Sequence, residues 1–185
     1  MSRVKYNKNE FINMSEKTLN TWVSIHKKKL VGSAIFTCNN SLTSKIVSWA
    51  SSLGKKKEEF IPSHVGSIVE YKDNLFLFNM QPPRASMTTL SSFLLYTNCD
   101  YQLIMRDFDI DCKMFSANIL YHLGEFYPYL SAIRSVLTKR QSKWRRHCSE
   151  LHARTLQLCG YKFPENFNME CTPLELYEVL CDTKN

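Results

Sequence analysis

Hydrophobic residues recur along this chain at spacings that predict both helices and strands. Near the N-terminus the spacing is the i, i+3, i+4, i+7 pattern of an amphipathic helix, and Ser15, just before it, is a suitable N-cap. The positions are Leu19, Trp22, Val23 and His26. Residues 1–14 are polar and show no clear period. We therefore expect residues 1–29 to form an N-terminal extension with one amphipathic helix, packed on a main domain of residues 30–185.

Four apolar runs predict the strands of that main domain. They lie at residues 30–38, 60–71, 75–80 and 101–107. The second and third runs are separated by Lys-Asp-Asn, which predicts a hairpin because Asp and Asn tolerate the backbone angles of a tight turn. Gln81-Pro82-Pro83 ends the third strand, since proline has no N–H to donate to a sheet ladder.

Helical spacing and capping residues predict the remaining elements. The predicted helices lie at about 42–50, 111–123, 129–146, from Cys148 to just before Gly160, and 173–181. Gly160 suits a left-handed C-terminal cap, and Thr172 with Pro173 forms a typical helix start. Together these elements predict the α+β class, with a small antiparallel sheet packed against helices.

Length and composition are typical of one cytoplasmic domain. The 185 residues are 44% hydrophobic, enough for one sizeable core. No run approaches the roughly 20 apolar residues of a membrane-spanning helix, and the first thirty residues hold no apolar signal-peptide segment. The low glycine count of five, with the Asn, Lys and Ile usage, favours an A+T-rich source such as a virus or phage.

Positive charge is concentrated in three short runs. The net charge is +7, and the runs lie at residues 27–29, 55–57 and 139–146. Such a charge favours polyanions such as nucleic acid, acidic lipid surfaces or cell-wall phosphates. The simpler interpretation is that the runs are solvated helix ends or loops.

The seven cysteines form no recognisable framework. Their number is odd, there is no C-x-x-C pair, and no histidine lies at zinc-finger spacing. This pattern argues against structural disulfides and a structural zinc site, and no metal or cofactor is predicted. Most of these thiols are expected to be small buried hydrophobic groups in a reducing compartment. Cys148 differs because it begins a predicted helix, where backbone N–H groups and the helix dipole favour a thiolate.

Acyl transfer through a thiolate also needs an imidazole base and a polar group that orients it. His64 opens a predicted strand, whereas His147 is adjacent to Cys148 and should point away, and His152 would crowd the thiol. Asn79, within an apolar run of the neighbouring strand, is the first candidate for the orienting group. Gln81 and Glu70 are rivals, because hairpin register decides which side chain lies beside the imidazole.

Short motifs in the right order resemble a known family. Ser-His-Val-Gly at residues 63–66 and Cys-Ser-Glu-Leu at 148–151 resemble the histidine and nucleophile motifs of the circularly permuted, NlpC-related papain-like cysteine hydrolases, especially the YiiX-like branch. Residues 32–36 and 44–49 resemble the family's first strand and the helix after it. Weaker matches lie at residues 123–137 and 172–176, so the resemblance covers roughly residues 30–180. The family more often has Glu where Asn79 stands, Asp at Ser33, and an aromatic residue at His147.

This resemblance implies a permuted papain-like fold and a catalytic triad. Cys148 would attack a carbonyl, His64 would act as base and then acid, Asn79 would orient the imidazole, and backbone N–H groups at the helix start would hold the oxyanion.

Two functions from different classes follow. The first is a cysteine hydrolase that cleaves an amide or ester through a thioester, either a peptidase or amidase on peptide or peptidoglycan-like substrates or an acyl-lipid hydrolase. Because the basic run 139–146 ends at Cys148, an anionic substrate would be attracted there. The alternative is a catalytically inactive, basic binding module for nucleic acid or another polyanion, in which Trp144, among basic residues, could stack on a base.

Overall fold

A computed structural model of the chain describes residues 4–38, 60–81, 83–126 and 147–181. Within these residues six strands form one antiparallel sheet. The strands are β1 Val4–Asn7, β2 Ala34–Cys38, β3 His64–Tyr71, β4 Asn74–Asn79, β5 Ser86–Thr89 and β6 Asp100–Met105. Their order across the sheet is β1-β6-β2-β3-β4-β5. The predicted antiparallel sheet and α+β class are therefore confirmed.

Five helices are present in the same residues. They are α1 Glu16–Leu30, α2 Leu90–Tyr96, α3 Cys112–Leu120, α4 Cys148–Leu158 and α5 Pro173–Cys181. Ser15 caps α1 as predicted, since its side chain accepts from the backbone N–H of Thr18. None of these described helices has the length and apolar character needed to cross a membrane.

The helices cover both faces of the sheet. On one face α4 contacts Ser67 of β3 through His152, and Tyr177 of α5 packs edge-on against Phe36 of β2 at 5.2 Å between ring centroids. Side chains alternate between the two faces of the sheet along each strand, so the neighbours of the residues that face α4 and α5 lie on the opposite face. There Tyr101 of β6 donates to the Leu94 carbonyl of α2 at 2.9 Å. The sheet is thus the central layer, and its interior strands are buried on both sides.

The β3–β4 hairpin sets the register that the candidate site depends on. Its turn residues Lys72 and Asp73 both have positive φ, 47° and 63°, as a two-residue turn between twisted strands requires. The predicted hairpin is confirmed. In the resulting register Gly66 of β3 pairs with Asn79 of β4.

Three elements were not predicted: β1, β5 and α2. β1 and β5 are edge strands with mostly exposed residues, so hydrophobic alternation is weak in both. Each is held in the extended conformation by antiparallel pairing with a neighbouring strand, β1 with β6 and β5 with β4. α2 has only seven residues and its Thr89 N-cap makes no side-chain cap hydrogen bond, which leaves little helical signal.

Several predictions concern residues outside those that the structure describes. These are the helices at 42–50 and 129–146 and the basic runs at 55–57 and 139–146.

Candidate active site

His64 occupies the first position of β3. Its ring Nε2 lies 3.3 Å from the side-chain oxygen of Asn79 in β4. An amide oxygen only accepts hydrogen bonds, so this contact favours a proton on Nε2 and leaves Nδ1 as the nitrogen that can exchange a proton with another group. The imidazole is therefore oriented by the group that the sequence favoured.

Gly66 makes this contact geometrically feasible. It pairs directly with Asn79 across the hairpin, two residues beyond His64 on β3. A Cβ added at Gly66 would lie 2.8 Å from the Asn79 side-chain oxygen and 2.6 Å from a methyl carbon of Leu77. Both distances are too short for real contacts, so the missing side chain leaves the space in which the Asn79 amide lies. This is a physical reason for glycine in the Ser-His-Val-Gly segment.

The rival orienting groups lie elsewhere. Glu70 is near the far end of β3, where its carboxylate lies 2.6 Å from the ammonium of Lys27. Gln81 lies beyond the end of β4 and is exposed. Asn79 is 7% exposed and is the one of the three whose contact with His64 is seen.

Cys148 is the first residue of α4 and is 7% exposed. The preceding residue, His147, is the N-cap, with extended backbone and no side-chain cap hydrogen bond. The Cys148 sulfur forms hydrogen bonds with the His64 side chain and with the backbone N–H groups of Val65 and Ser149. One of these N–H groups belongs to the first turn of α4, where the helix dipole also favours negative charge.

Two contacts hold the start of α4 in place beneath the sheet. The buried His152, one turn beyond Cys148, has its Nδ1 2.8 Å from the Ser67 hydroxyl of β3. The hydroxyl of Ser149 donates to the Cys171 carbonyl at 2.5 Å. Desolvation lowers the pKa of His152 to about 3, so this imidazole is neutral at physiological pH. It fixes the position of the helix rather than crowding the thiol.

The pKa values of Cys148 and His64 shift toward each other. Burial alone would raise the pKa of Cys148, but the charge of His64, its hydrogen bond and the backbone N–H groups lower it below its usual value. For His64, burial acts to lower the pKa, yet the charge and hydrogen bond of Cys148 and the contact with Asn79 raise it overall. The arrangement therefore favours a thiolate beside an imidazolium.

Three other thiols of the chain have raised pKa values, in contrast to Cys148. Burial, with the negative charge of Asp100 as a second cause, raises the pKa of Cys38. Burial likewise raises the pKa of Cys159 to about 11 and that of Cys171 to about 12. Thiols that stay protonated at neutral pH are poor nucleophiles, so Cys148 is chemically distinct from these three.

A cleft of about 510 Å³ opens beside His64. Its described lining consists of Thr37, Cys38, His64, Asn79, Gln81, Phe93, Thr97, Asn98, Cys99 and Asp100. Cys148 is not in this set, whereas its partner His64 and the orienting group Asn79 both are. Most of the lining groups are polar and uncharged.

No known family model matches the chain, and no curated protein matches it. Within the residues that the structure describes, no group of three or more His, Cys, Asp or Glu side chains could hold a metal ion. The groups suited to chemistry at the candidate site are the hydrogen-bonded series of Cys148, His64 and Asn79.

Gly66→Ala tests the space at position 66. We expect a loss of about 1–3 kcal/mol in the free energy of unfolding, because the added methyl overpacks the hairpin. The Asn79 amide should also move away from the imidazole, which would lower the pKa of His64. Urea denaturation and an NMR titration of the His64 ring measure the two effects.

Gly124→Ala is the matched control for this substitution. Gly124 has φ 85° and open space around the position of a Cβ. Alanine there costs about 1 kcal/mol through its backbone conformation but should leave the His64 titration unchanged. A Gly66→Ala protein with the titration of the original protein would show that the amide does not depend on this space.

Proposed function

We propose that this chain is a cysteine hydrolase with a circularly permuted, NlpC-related papain-like fold. It would cleave an amide or ester bond with Cys148 as nucleophile, His64 as acid and base, and Asn79 as orienting group. The observation that carries the proposal is the continuous contact from the Cys148 sulfur through the His64 imidazole to the Asn79 amide, with the thiol pKa lowered. The order of the short motifs and the α+β architecture support it as well.

The reaction follows from these positions. The Cys148 thiolate attacks the carbonyl carbon, and the developing oxyanion is stabilised by backbone N–H groups at the start of α4. The imidazolium of His64 donates its proton to the departing amine or alkoxide, and an acyl thioester remains. The neutral imidazole then takes a proton from water, which attacks the thioester. The acid product leaves, and the thiolate and imidazolium form again.

A peptidase or amidase on peptide or peptidoglycan-like bonds and an acyl-lipid hydrolase share this thioester intermediate. We place the reaction in a reducing compartment such as the cytoplasm, because it needs a free thiol. The alternative function, a basic binding module for nucleic acid or another polyanion, is favoured by the net charge of +7. In that case Cys148 needs no special reactivity.

Iodoacetamide labelling distinguishes these two functions. At pH 6, we expect Cys148 to be alkylated faster than each of the other six thiols. Cys38 is the matched comparison within the same chain, since it lines the cleft and is more exposed than Cys148, while its pKa is raised. Accessibility alone therefore predicts faster labelling of Cys38, and thiolate character predicts faster labelling of Cys148.

Labelled peptides are quantified by mass spectrometry over time. Equally slow labelling of all seven thiols, or labelling that follows exposure, would favour the binding module. Where Cys148 is selectively labelled, a library of amide and ester substrates assayed with the protein and with its Cys148→Ala variant identifies the bond type.

A further inference from the structure

The cleft beside His64 has an uneven distribution of charge. Asp100 is the one carboxylate in its described lining, and no lysine or arginine occurs in that part of it. Asp100 is exposed and therefore available to a ligand. Its charge is felt at the cleft wall, because it contributes to the raised pKa of Cys38. The carboxylate therefore attracts a cation to its own end of the cleft.

The register of the sheet gives the approximate distance between the backbones of Asp100 and His64. Thr37 of β2 pairs with His64 on one side and with Tyr101 of β6 on the other. Asp100, next to Tyr101, pairs with Cys38. Since neighbouring strands lie about 4.8 Å apart, the backbone of Asp100 is roughly 10 Å from that of His64. An extended peptide spans this distance with about three residues, and one residue plus a lysine side chain spans it equally well.

The neighbours of Asp100 complete a site suited to an ammonium group. Phe93 lines the same cleft and is held by Tyr101, with 5.5 Å between the ring centroids. An aromatic face attracts a cation. The amide oxygen of Asn98, two residues before Asp100 and also in the lining, is an acceptor for the ammonium hydrogens that the carboxylate leaves unused.

We propose that Asp100 determines specificity, by binding a primary ammonium group two or three residues away from the scissile carbonyl. This inference rests on the proposed hydrolase function and narrows its substrate class to amine-bearing peptides, with either a lysine side chain or a free N-terminus near the cleaved bond. An acyl group carrying a carboxylate or phosphate at that distance is disfavoured.

Three matched affinity probes test the proposal. They are the chloromethyl ketones of acetyl-lysyl-glycine, acetyl-norleucyl-glycine and acetyl-glutamyl-glycine, which differ in charge at similar length. Second-order rates of Cys148 alkylation are measured by mass spectrometry. We expect the lysine probe to react about three- to tenfold faster than the norleucine probe, as one exposed ion pair with an aromatic neighbour allows. This preference should decrease as salt is added.

Asp100→Asn should abolish the preference, so that the ratio of the lysine rate to the norleucine rate falls to about one. Asp109→Asn removes the same charge from an exposed position outside the described lining of the cleft, so it should retain the preference. Equal rates for the lysine and norleucine probes in the original protein, or a preference that survives Asp100→Asn, would overturn the proposal.

A binding measurement separates this inference from the hydrolase function. Acetyl-lysine amide and acetyl-norleucine amide are titrated into the Cys148→Ser protein and its Asp100→Asn derivative, and NMR shifts are followed. Binding of the lysine compound that depends on Asp100 supports the cation site even if no probe labels Cys148 selectively, in which case only the hydrolase proposal fails. Selective labelling of Cys148 without any preference for the cation supports the hydrolase function, and in that case only the proposed role of Asp100 fails.

Discussion

Replacing His64 by alanine should reduce the rate of Cys148 alkylation at pH 6 on the order of 100-fold. With the imidazolium present, the thiol pKa lies below its usual value, so a larger fraction of Cys148 is thiolate at any given pH. Without it, only the backbone N–H groups of Val65 and Ser149 oppose the effect of burial, and the pKa of Cys148 rises. A thiol with an ordinary pKa of about 8.5 is only about 0.3% thiolate at pH 6. The rate profile should therefore shift to higher pH, which labelling from pH 5 to 9 would measure.

Two further variants make this result specific. His26 lies in α1, where its Nδ1 contacts the Trp22 carbonyl, and His26→Ala should leave the profile unchanged. Asn79→Ala removes the oxygen that favours the protonated ring of His64 and should have a smaller effect, about tenfold, because the imidazole remains. An unchanged Cys148 profile in the His64→Ala protein would mean that the helix start alone activates the thiol, and the proposed acid and base would then be wrong.

Replacing Arg106 by methionine should lower the free energy of unfolding by about 3 kcal/mol, the largest effect on stability that we expect from one substitution. Arg106 is 8% exposed, and its guanidinium donates to the backbone carbonyls of Lys28, Val31 and Phe108. Two of these carbonyls belong to the C-terminal end of α1, where a positive charge is also favoured by the helix dipole. Methionine fills a similar volume but leaves these buried acceptors without the donor.

Lys28→Met is the matched control for the loss of charge. Lys28 is in the same last turn of α1 but is exposed, so its replacement should cost about 0.5 kcal/mol or less. Urea denaturation of both variants gives the comparison. Equal stabilities would mean that the α1 carbonyls find other donors and that Arg106 contributes only as surface charge does. Neither substitution should change the relative labelling of Cys148 and Cys38.

The residues of the candidate site differed in how readily the sequence revealed them. Cys148 begins a helix, and His64 begins a strand. Both are local positions, which capping residues and apolar runs indicate without knowledge of the remaining chain. Asn79 was only one of three alternatives, because its selection over Gln81 and Glu70 depends on hairpin register. Gly66 received no role at all, since its importance is a matter of space between two strands.

Asp100 and Arg106 are the residues for which sequence patterns gave no signal. Asp100 follows a stretch of polar residues and looks like ordinary surface, and only the pairing of β6 with β2 brings it into the cleft of His64. Arg106 sits at the end of an apolar run, where an exposed arginine would be expected. It is buried because the end of α1, distant in sequence, supplies the carbonyls that accept its hydrogen bonds.

Periodicity and capping were thus sufficient for the helices and strands that bury a continuous apolar face, because such faces repeat every two or 3.6 residues. They were insufficient for edge strands and for every contact between residues far apart in the chain. Strand pairing brings Asn79 to His64, and the packing of α4 on β3 brings Cys148 to the same ring. A linear pattern specifies which face a side chain occupies, whereas the partner on that face depends on how the layers stack.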